Sequence, residues 1–291
     1  LAYLTETHME QLPPRLSGFD PHKPMLFHYT TYPGFVGILN SRQLWATSVY
    51  HMNDSHEYVH GMGIAIRVVG KHHDTLEGRA KKLAFAILQY LPNFSEGNIC
   101  TASFSENGDV LSQWRAYGGS GGISLGFSFD ALQKIGSRNG FELIKCIYDE
   151  GTKSAIAEEW FERSVTRLES QSDPDNEIDN IALWFCNRIQ QWACAFKHSG
   201  FREENEWRII SRFLPYDRPE MHVRATNRML TPYFALPLEV GKDGDKFDIG
   251  IDEVVIGPTD HRSLIGKGVD VAFKNTVWKA RTWSHTPYRT F

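Results

Sequence analysis

Runs of β-type composition recur along the whole of this chain with helical stretches set between them, and that interleaving constrains the architecture more than any single motif. Met25–Thr30, reading MLFHYT, has the apolar and aromatic composition of a buried strand. Tyr32 to Ser41 carries helical spacing and Leu44–Tyr50 returns to β composition, giving a strand, short helix, strand unit. After a polar turn at Asn53–Ser55, helices are expected over His56–Val69 and Leu76–Leu91, the second ended by Pro92. Ile99–Ser105, Ile123–Phe129 and Phe141–Tyr148 predict three further strands, the first two separated by a short amphipathic piece and the loop GGSGG. A helical hairpin follows between Ser154 and Lys197, turning at Ser172–Glu177, with Cys186 and Cys194 on one face of its second helix. Strands are expected again at Trp207–Phe213, Met229–Leu238, Glu253–Ile256 and Val277–Thr282. The expected class is α+β, with helices inserted into a mainly antiparallel β core. Residues 1–291 read as a single α+β domain with a proline-rich arm over 1–24 and the helical hairpin as an insertion over 150–198.

Composition narrows the function classes. Hydrophobic residues at 41% and charged residues at 23% exclude a disordered or collagen-like chain. Lysine and arginine number 31 against 35 acidic residues, a net charge of −4, so nucleic-acid binding would have to rest on a local cluster such as Arg218–Arg228. The four cysteines form no CxxC pair, which argues against a zinc ribbon or a disulfide framework and favours a reducing cytoplasm. No apolar run approaches the roughly 20 residues that a membrane span needs, so no membrane association is expected. The opening residues lack the basic start and apolar stretch of a secretory signal.

Three segments carry candidate chemistry. HEYVH at His56–His60 is a literal H-E-x-x-H, in which two histidines on one helical face could bind zinc while Glu57 activates a metal-bound water. Gly61 and Gly63 follow at once and weaken the helix such a site needs, so a surface or helix-start role is the plainer reading. GGSGG at Gly118–Gly122 could cradle phosphate, but it opens a strand and has no P-loop lysine, which favours a turn. In FREENEWRII, Phe201–Ile210, the period of two would put Glu204 and Glu206 on one face at the entry to a strand, with Arg208 continuing the row. Two such carboxylates repel, so that one holds a raised pKa or both address a ligand; the alternative is an exposed strand end with Glu204 paired to Arg208 or Arg202.

Leu26–Thr30, Leu44–Glu57, Ser103–Asp130, Glu204–Ile209 and Asp252–Pro258 together resemble a widespread bacterial family of unknown function, domain of unknown function 2971. In that family's pattern the meaningful unit is Met52-Asn53-Asp54 followed by Glu57, which makes His56 and His60 incidental. The opening strand with His28-Tyr29-Thr30, the short helix and the strand from Leu44 are also similar to the start of the ADP-ribosyltransferase fold, including its toxin branches. That resemblance implies a split, mainly antiparallel β core, NAD as substrate, His28 meeting the NAD ribose and a late-strand glutamate as catalytic group. Glu206 maps best to that glutamate and Glu204 is the fallback. Tyr29, Thr30, Tyr50, Asn53, Asp54, Trp114 and Tyr117 join His28 as the expected cofactor-binding set. Arg115 or Arg208 would take the pyrophosphate.

The function this implies is cleavage of the nicotinamide–ribose bond by an ADP-ribosyltransferase or NAD glycohydrolase, acting as a bacterial toxin or phage-defence effector. No metal is expected. The acceptor would be a protein or a nucleic acid, and a toxin would have a cognate antitoxin or immunity partner. The alternatives are a zinc metallohydrolase through HEYVH at 56–60 and a non-catalytic nucleotide- or protein-binding module.

Overall fold

A computed structural model of the protein describes residues 23–52, 55–92, 98–119, 121–225 and 229–286. Most of the expected N-terminal arm, and Asn53 and Asp54, therefore lie outside the described residues. The first unit is as expected: β1 (Met25–Thr31), α1 (Tyr32–Ser41) and β2 (Gln43–Ser48). Thr31 caps α1 by accepting from Gly34 N, Pro33 fits its first turn, and Arg42 ends it in the left-handed region at φ 55°. The strand expected to reach Tyr50 stops at Ser48, and Val49–His51 forms a 3₁₀ turn.

Two helices follow, α2 (Ser55–Thr75) and α3 (Gly78–Tyr90), and then β3 (Cys100–Ser105). The helical stretch at Leu111–Gln113 winds into a π turn at Trp114–Gly118, which leads to β4 (Gly122–Ser128). Next come α4 (Phe129–Asn139), β5 (Phe141–Lys145) and the helical hairpin of α5 (Glu150–Glu169) and α6 (Pro174–Ala193). The remaining strands are β6 (Glu206–Ser211), β7 (Met221–Ala225), β8 (Leu230–Pro237), β9 (Gly241–Asp243), β10 (Lys246–Asp248), β11 (Ile251–Ile256) and β12 (Ala280–Trp283), with α7 (Arg262–Ala272) before the last.

Both α4 and α7 fall in stretches between expected strands for which the sequence pattern predicts no element. Ser128 nevertheless caps α4 and Gly140, at φ 75°, ends it, so both punctuation marks were present. Gly61 and Gly63 do not interrupt α2, because tertiary packing overrides their low helix propensity. A Cβ on Gly61 would stand 2.9 Å from that of Ala193, so the glycine is where α2 meets α6.

The fold is α+β on a mostly antiparallel open sheet, and β3 is its branch point. Ten of the described strands join in one sheet, eight of them in the order β12-β11-β4-β1-β3-β2-β8-β7, with β6 off that path and paired to both β3 and β5. Among the described strands of this sheet, β11 and β12 are the pair that runs parallel. Residues Thr101–Ser105 pair along one edge with β6. The opposite edge is shared, with Ser105 meeting Phe27 of β1 while Cys100 and Thr101 meet Ser48 and Thr47 of β2. Between those contacts β1 and β2 diverge, leaving a fork spanned by α1 with the middle of β3 as its floor.

Two large apolar cores, with a smaller cluster of Phe27, Tyr29, Trp114 and Val255, hold the fork in place. One packs the sheet against α1, α4 and α7 through residues such as Leu26, Phe104, Phe127, Leu132, Phe234 and Phe273. The other joins α2, α3, α5 and α6 through Tyr58, Ile87, Trp160, Phe185 and Ile189, and reaches Ile144 and Ile210 of the sheet. No helix among the described residues is long and apolar enough to cross a membrane.

Candidate functional site

The fork between β1 and β2 opens into a cleft of about 600 Å³ lined by β1, α1, β2, β3, Tyr117 and Arg224. At its inner end a smaller pocket of about 50 Å³ adds Gln113, Ser105, Glu204 and Glu206. His28, Tyr29, Ser103 and Tyr117 line both. His28 Nδ1 lies 3.0 Å from the carbonyl oxygen of Ser103, in the stretch of β3 between its pairings with β1 and β2. A carbonyl only accepts, so Nδ1 carries the proton. Burial pulls the ring's pKa below the ordinary 6.5 against the opposing effect of the Ser103 bond, which leaves a neutral ring with Nε2 as an acceptor.

Glu206 opens β6 directly across from Ser105 and sits in a buried ion cluster. Arg208 Nε donates to its Oε1 at 2.7 Å, Arg208 Nη2 to its Oε2 at 3.3 Å, and Lys197 Nζ also donates to Oε2. Burial alone would raise the Glu206 carboxyl, but Arg208 and Lys197 override it and hold the group at about 2. Burial likewise acts to lower Lys197, and the facing carboxylates push it above its ordinary value instead. Glu204 differs from the expected strand residue, since it closes a 3₁₀ turn at Ser199–Glu204 and Asn205, at φ 40°, swings the chain into β6. The two carboxylates still converge, because Lys197 Nζ reaches Glu204 Oε2 at 2.5 Å as well. Ser105 Oγ fixes the Glu204 backbone by donating to its carbonyl at 2.8 Å.

The charges therefore balance, two carboxylates against Lys197 and Arg208, and what distinguishes the glutamates is the oxygen each leaves open. Among the described residues Glu206 accepts from three side-chain donor atoms, whereas Glu204 accepts from Lys197 at Oε2. With 16% of its side chain exposed against 6% for Glu206, Glu204 is the carboxylate open to a ligand. The anticipated pairing of Glu204 with Arg202 or Arg208 is replaced by the pair with Lys197. Lys197 gave no signal in the sequence. Its backbone is locked to Ile147 by a 3.0 Å bond, which sets the lysine under the strand entry.

Several expected binding residues have other jobs. Trp114 is 1% exposed and donates Nε1 to Asp109 at 2.7 Å, so it braces the loop and lines neither cavity. The Tyr29 hydroxyl donates to Asn107 O and accepts from Val110 N, and its ring meets Trp114 edge-on at 4.7 Å. Tyr50 packs edge-on against Tyr58 in the helical core. Arg208 is spent on Glu206 and the Cys194 carbonyl, and Arg115 is exposed and lines neither cavity. Thr30 lines the cleft. Tyr117, at 45% exposed, is the expected aromatic residue that offers its ring to the cleft, and Trp45, also 45% exposed, is one the sequence reading missed.

The H-E-x-x-H histidines point elsewhere: His60 Nε2 pairs with Glu150 at 3.0 Å, and His56 is exposed. Glu57 Oε1 accepts from His198 N at 2.9 Å and so ties α2 to the segment that carries Lys197. Among the described residues no group of three or more His, Cys, Asp or Glu converges as a set of metal ligands. The glycine loop is a packing device. A Cβ on Gly122 would stand 2.7 Å from both Gly118 Cα and the Thr30 carbonyl, so the loop presses directly against β1 beside the cleft.

Residues 113–209 match the model of a family described as Protein of unknown function (DUF2971). The matched segment is similar to that uncharacterised family and holds Gln113, Tyr117, Lys197, Glu204, Glu206 and Arg208, which is the carboxylate side of the pocket but not His28. No curated protein and no solved structure matches the chain.

Proposed function

We propose that this protein cleaves the nicotinamide–ribose bond of NAD, with an ADP-ribosyltransferase-like core and the pocket between His28 and the Glu204/Glu206 pair as the reacting end. The observation that carries the reading is the forked sheet itself. Its cleft of about 600 Å³ has the volume of a small-molecule site and ends where a neutral histidine acceptor and two carboxylates line one small pocket.

Breaking the bond sends its electron pair to nicotinamide and leaves oxocarbenium character on the ribose. A fixed carboxylate beside the sugar stabilises that charge, and the stabilisation acts where the charge develops and needs no reorganisation as the bond breaks. Glu204, with an open oxygen, is the group for this role, and Glu206 with Lys197 and Arg208 holds its surroundings rigid. His28 Nε2 accepts from a ribose hydroxyl, and Tyr117 covers the nicotinamide ring and excludes water. The nucleophile that then bonds to the sugar is water or a group on a protein or nucleic acid, and its proton leaves to solvent. A role as a toxin or phage-defence effector in the cytoplasm, with an immunity partner, follows from the family resemblance.

The test is nicotinamide release from NAD by wild type, Glu204→Gln and His28→Ala, with and without cell lysate. Release by wild type that falls at least a hundredfold in both variants supports the reading. Absence of release under every condition overturns it in favour of a binding module.

A further inference from the structure

The limb of the cleft farther from the carboxylates has a chemistry of its own. Arg224 projects from β7 and donates Nη2 to Thr47 Oγ1 at 3.2 Å, yet its buried Nε has no protein partner and no carboxylate among the described residues pairs with it. The buried Thr101 Oγ1 on β3 and His51 Nδ1 in the 3₁₀ turn are also without protein hydrogen-bond partners. All three residues line the same cleft, although they come from three separate elements. Polar atoms buried without partners are uncommon and each costs about 1–3 kcal/mol, so three on one wall mark a surface shaped for something polar.

Beside them lies Trp45, which tilts against Tyr233 at 4.6 Å between centroids and carries the Arg224 guanidinium 5.7 Å from its ring. An apolar occupant would strand all three polar groups, and a cation would be repelled by Arg224. A phosphate offers several acceptor oxygens to a guanidinium and a hydroxyl, and an aromatic base joined to it would find a ring face.

We propose that this limb is a nucleotide-phosphate subsite, with Arg224 as its cation, Thr101 and His51 as hydrogen-bonding partners, and Trp45 as the stacking face for the attached base. The subsite deepens the NAD reading and rests on it for the identity of the dinucleotide. It sets the orientation, with the diphosphate at Arg224 and the nicotinamide toward Glu204, which keeps the phosphates away from the two carboxylates.

The experiment is calorimetric binding of ADP, adenosine and inorganic pyrophosphate to the full chain, with Arg224→Gln, Arg224→Lys and Trp45→Leu as variants and melting temperature as the fold check. ADP is expected to bind wild type at least tenfold more tightly than adenosine. Arg224→Gln should remove that advantage, Arg224→Lys should restore part of it, and Trp45→Leu should weaken ADP and adenosine but leave pyrophosphate unchanged. Equal ADP affinity in wild type and Arg224→Gln, or no ADP binding to wild type, overturns the subsite. If Arg224→Gln fails to fold, wild type decides, because ADP binding no tighter than adenosine overturns it alone. ADP binding that depends on Arg224, without any nicotinamide release, leaves the subsite standing and defeats NAD cleavage. Nicotinamide release with ADP binding indifferent to Arg224 does the reverse.

Discussion

Arg208 grips Glu206 with two nitrogens, Nε on Oε1 at 2.7 Å and Nη2 on Oε2 at 3.3 Å, from two positions along the same strand. Alternation along β6 puts both side chains on one face, and Lys197 closes the cluster from the segment after α6. The glutamate is therefore as much a keystone as a candidate for chemistry.

Substituting it separates those roles. By resemblance alone, Glu206→Gln would abolish activity with the melting temperature nearly unchanged. The buried cluster overturns that expectation, because the amide removes the one carboxylate that Lys197 and Arg208 share, whereas Glu204→Gln leaves Glu206 bridging both cations. Breaking a buried ion pair costs about 3–5 kcal/mol, so Glu206→Gln should unfold at clearly lower denaturant. Glu204→Gln, which leaves Glu206 in contact with both Lys197 and Arg208, should lose less stability than Glu206→Gln while losing nicotinamide release. Urea titrations of both variants beside the activity assay check the split, and equal stability of the two would refute it.

Acid should reveal the same cluster. A carboxyl held at about 2 instead of 4.5 contributes stability that is complete above the unfolded value and lost as pH falls through the folded one. The window is thus about pH 4.5 down to 2. Other lowered carboxylates, such as Asp149 and Asp175, titrate on acidification too, so the informative quantity is the stability difference between wild type and Glu206→Gln across that window. The difference should shrink as pH falls. Lys197, raised above 10.5, contributes throughout this range and is lost only in strong alkali. Parallel curves for the two proteins would count against the cluster.

How much of this was legible in the sequence depends on whether the signal was local. β1, α1 and β2 were readable because composition, Pro33 and spacing agree within a few residues. The carboxylates were readable as a pair, although Asn205 moves Glu204 off the strand that simple alternation would extend to it. Lys197 and Arg224 were not, since each acquires its meaning from a contact formed by tertiary packing: Lys197 with Glu206, and Arg224 with Thr47 across 177 positions. Aromatic identity alone misled, because Trp114 and Tyr117 stand in one short motif yet one is sealed in the core and the other faces the cleft.

That contrast gives a clean pair of variants. Trp114→Ala removes a side chain packed on Tyr29 together with its bond to Asp109, and large-to-small changes of this kind cost about 3–5 kcal/mol. It should therefore lower stability far more than Tyr117→Ala. Tyr117→Ala should leave the urea midpoint close to wild type and raise the KM for NAD or lower kcat. A Tyr117→Ala protein with wild-type kinetics would remove the ring from the proposed nicotinamide site.

The glycine loop is the last point where packing and cleft meet. At Gly122 a methyl group would lie 2.7 Å from Gly118 Cα and from the Thr30 carbonyl, both backbone atoms that have no flexible end to move. β4 pairs with β1 along its whole length, with Thr31 opposite Gly122, so relief would have to come from shifting β1 itself. Overpacking of this kind costs about 1–3 kcal/mol, and here the strain falls on the strand that carries His28. Gly122→Ala should accordingly lose stability and reduce activity together, whereas Gly241→Ala, where a Cβ would meet nothing within 4 Å, should do neither. Melting curves and nicotinamide release on the two alanine variants test this, and a Gly122→Ala protein as stable and active as Gly241→Ala would show that the loop does not press on β1.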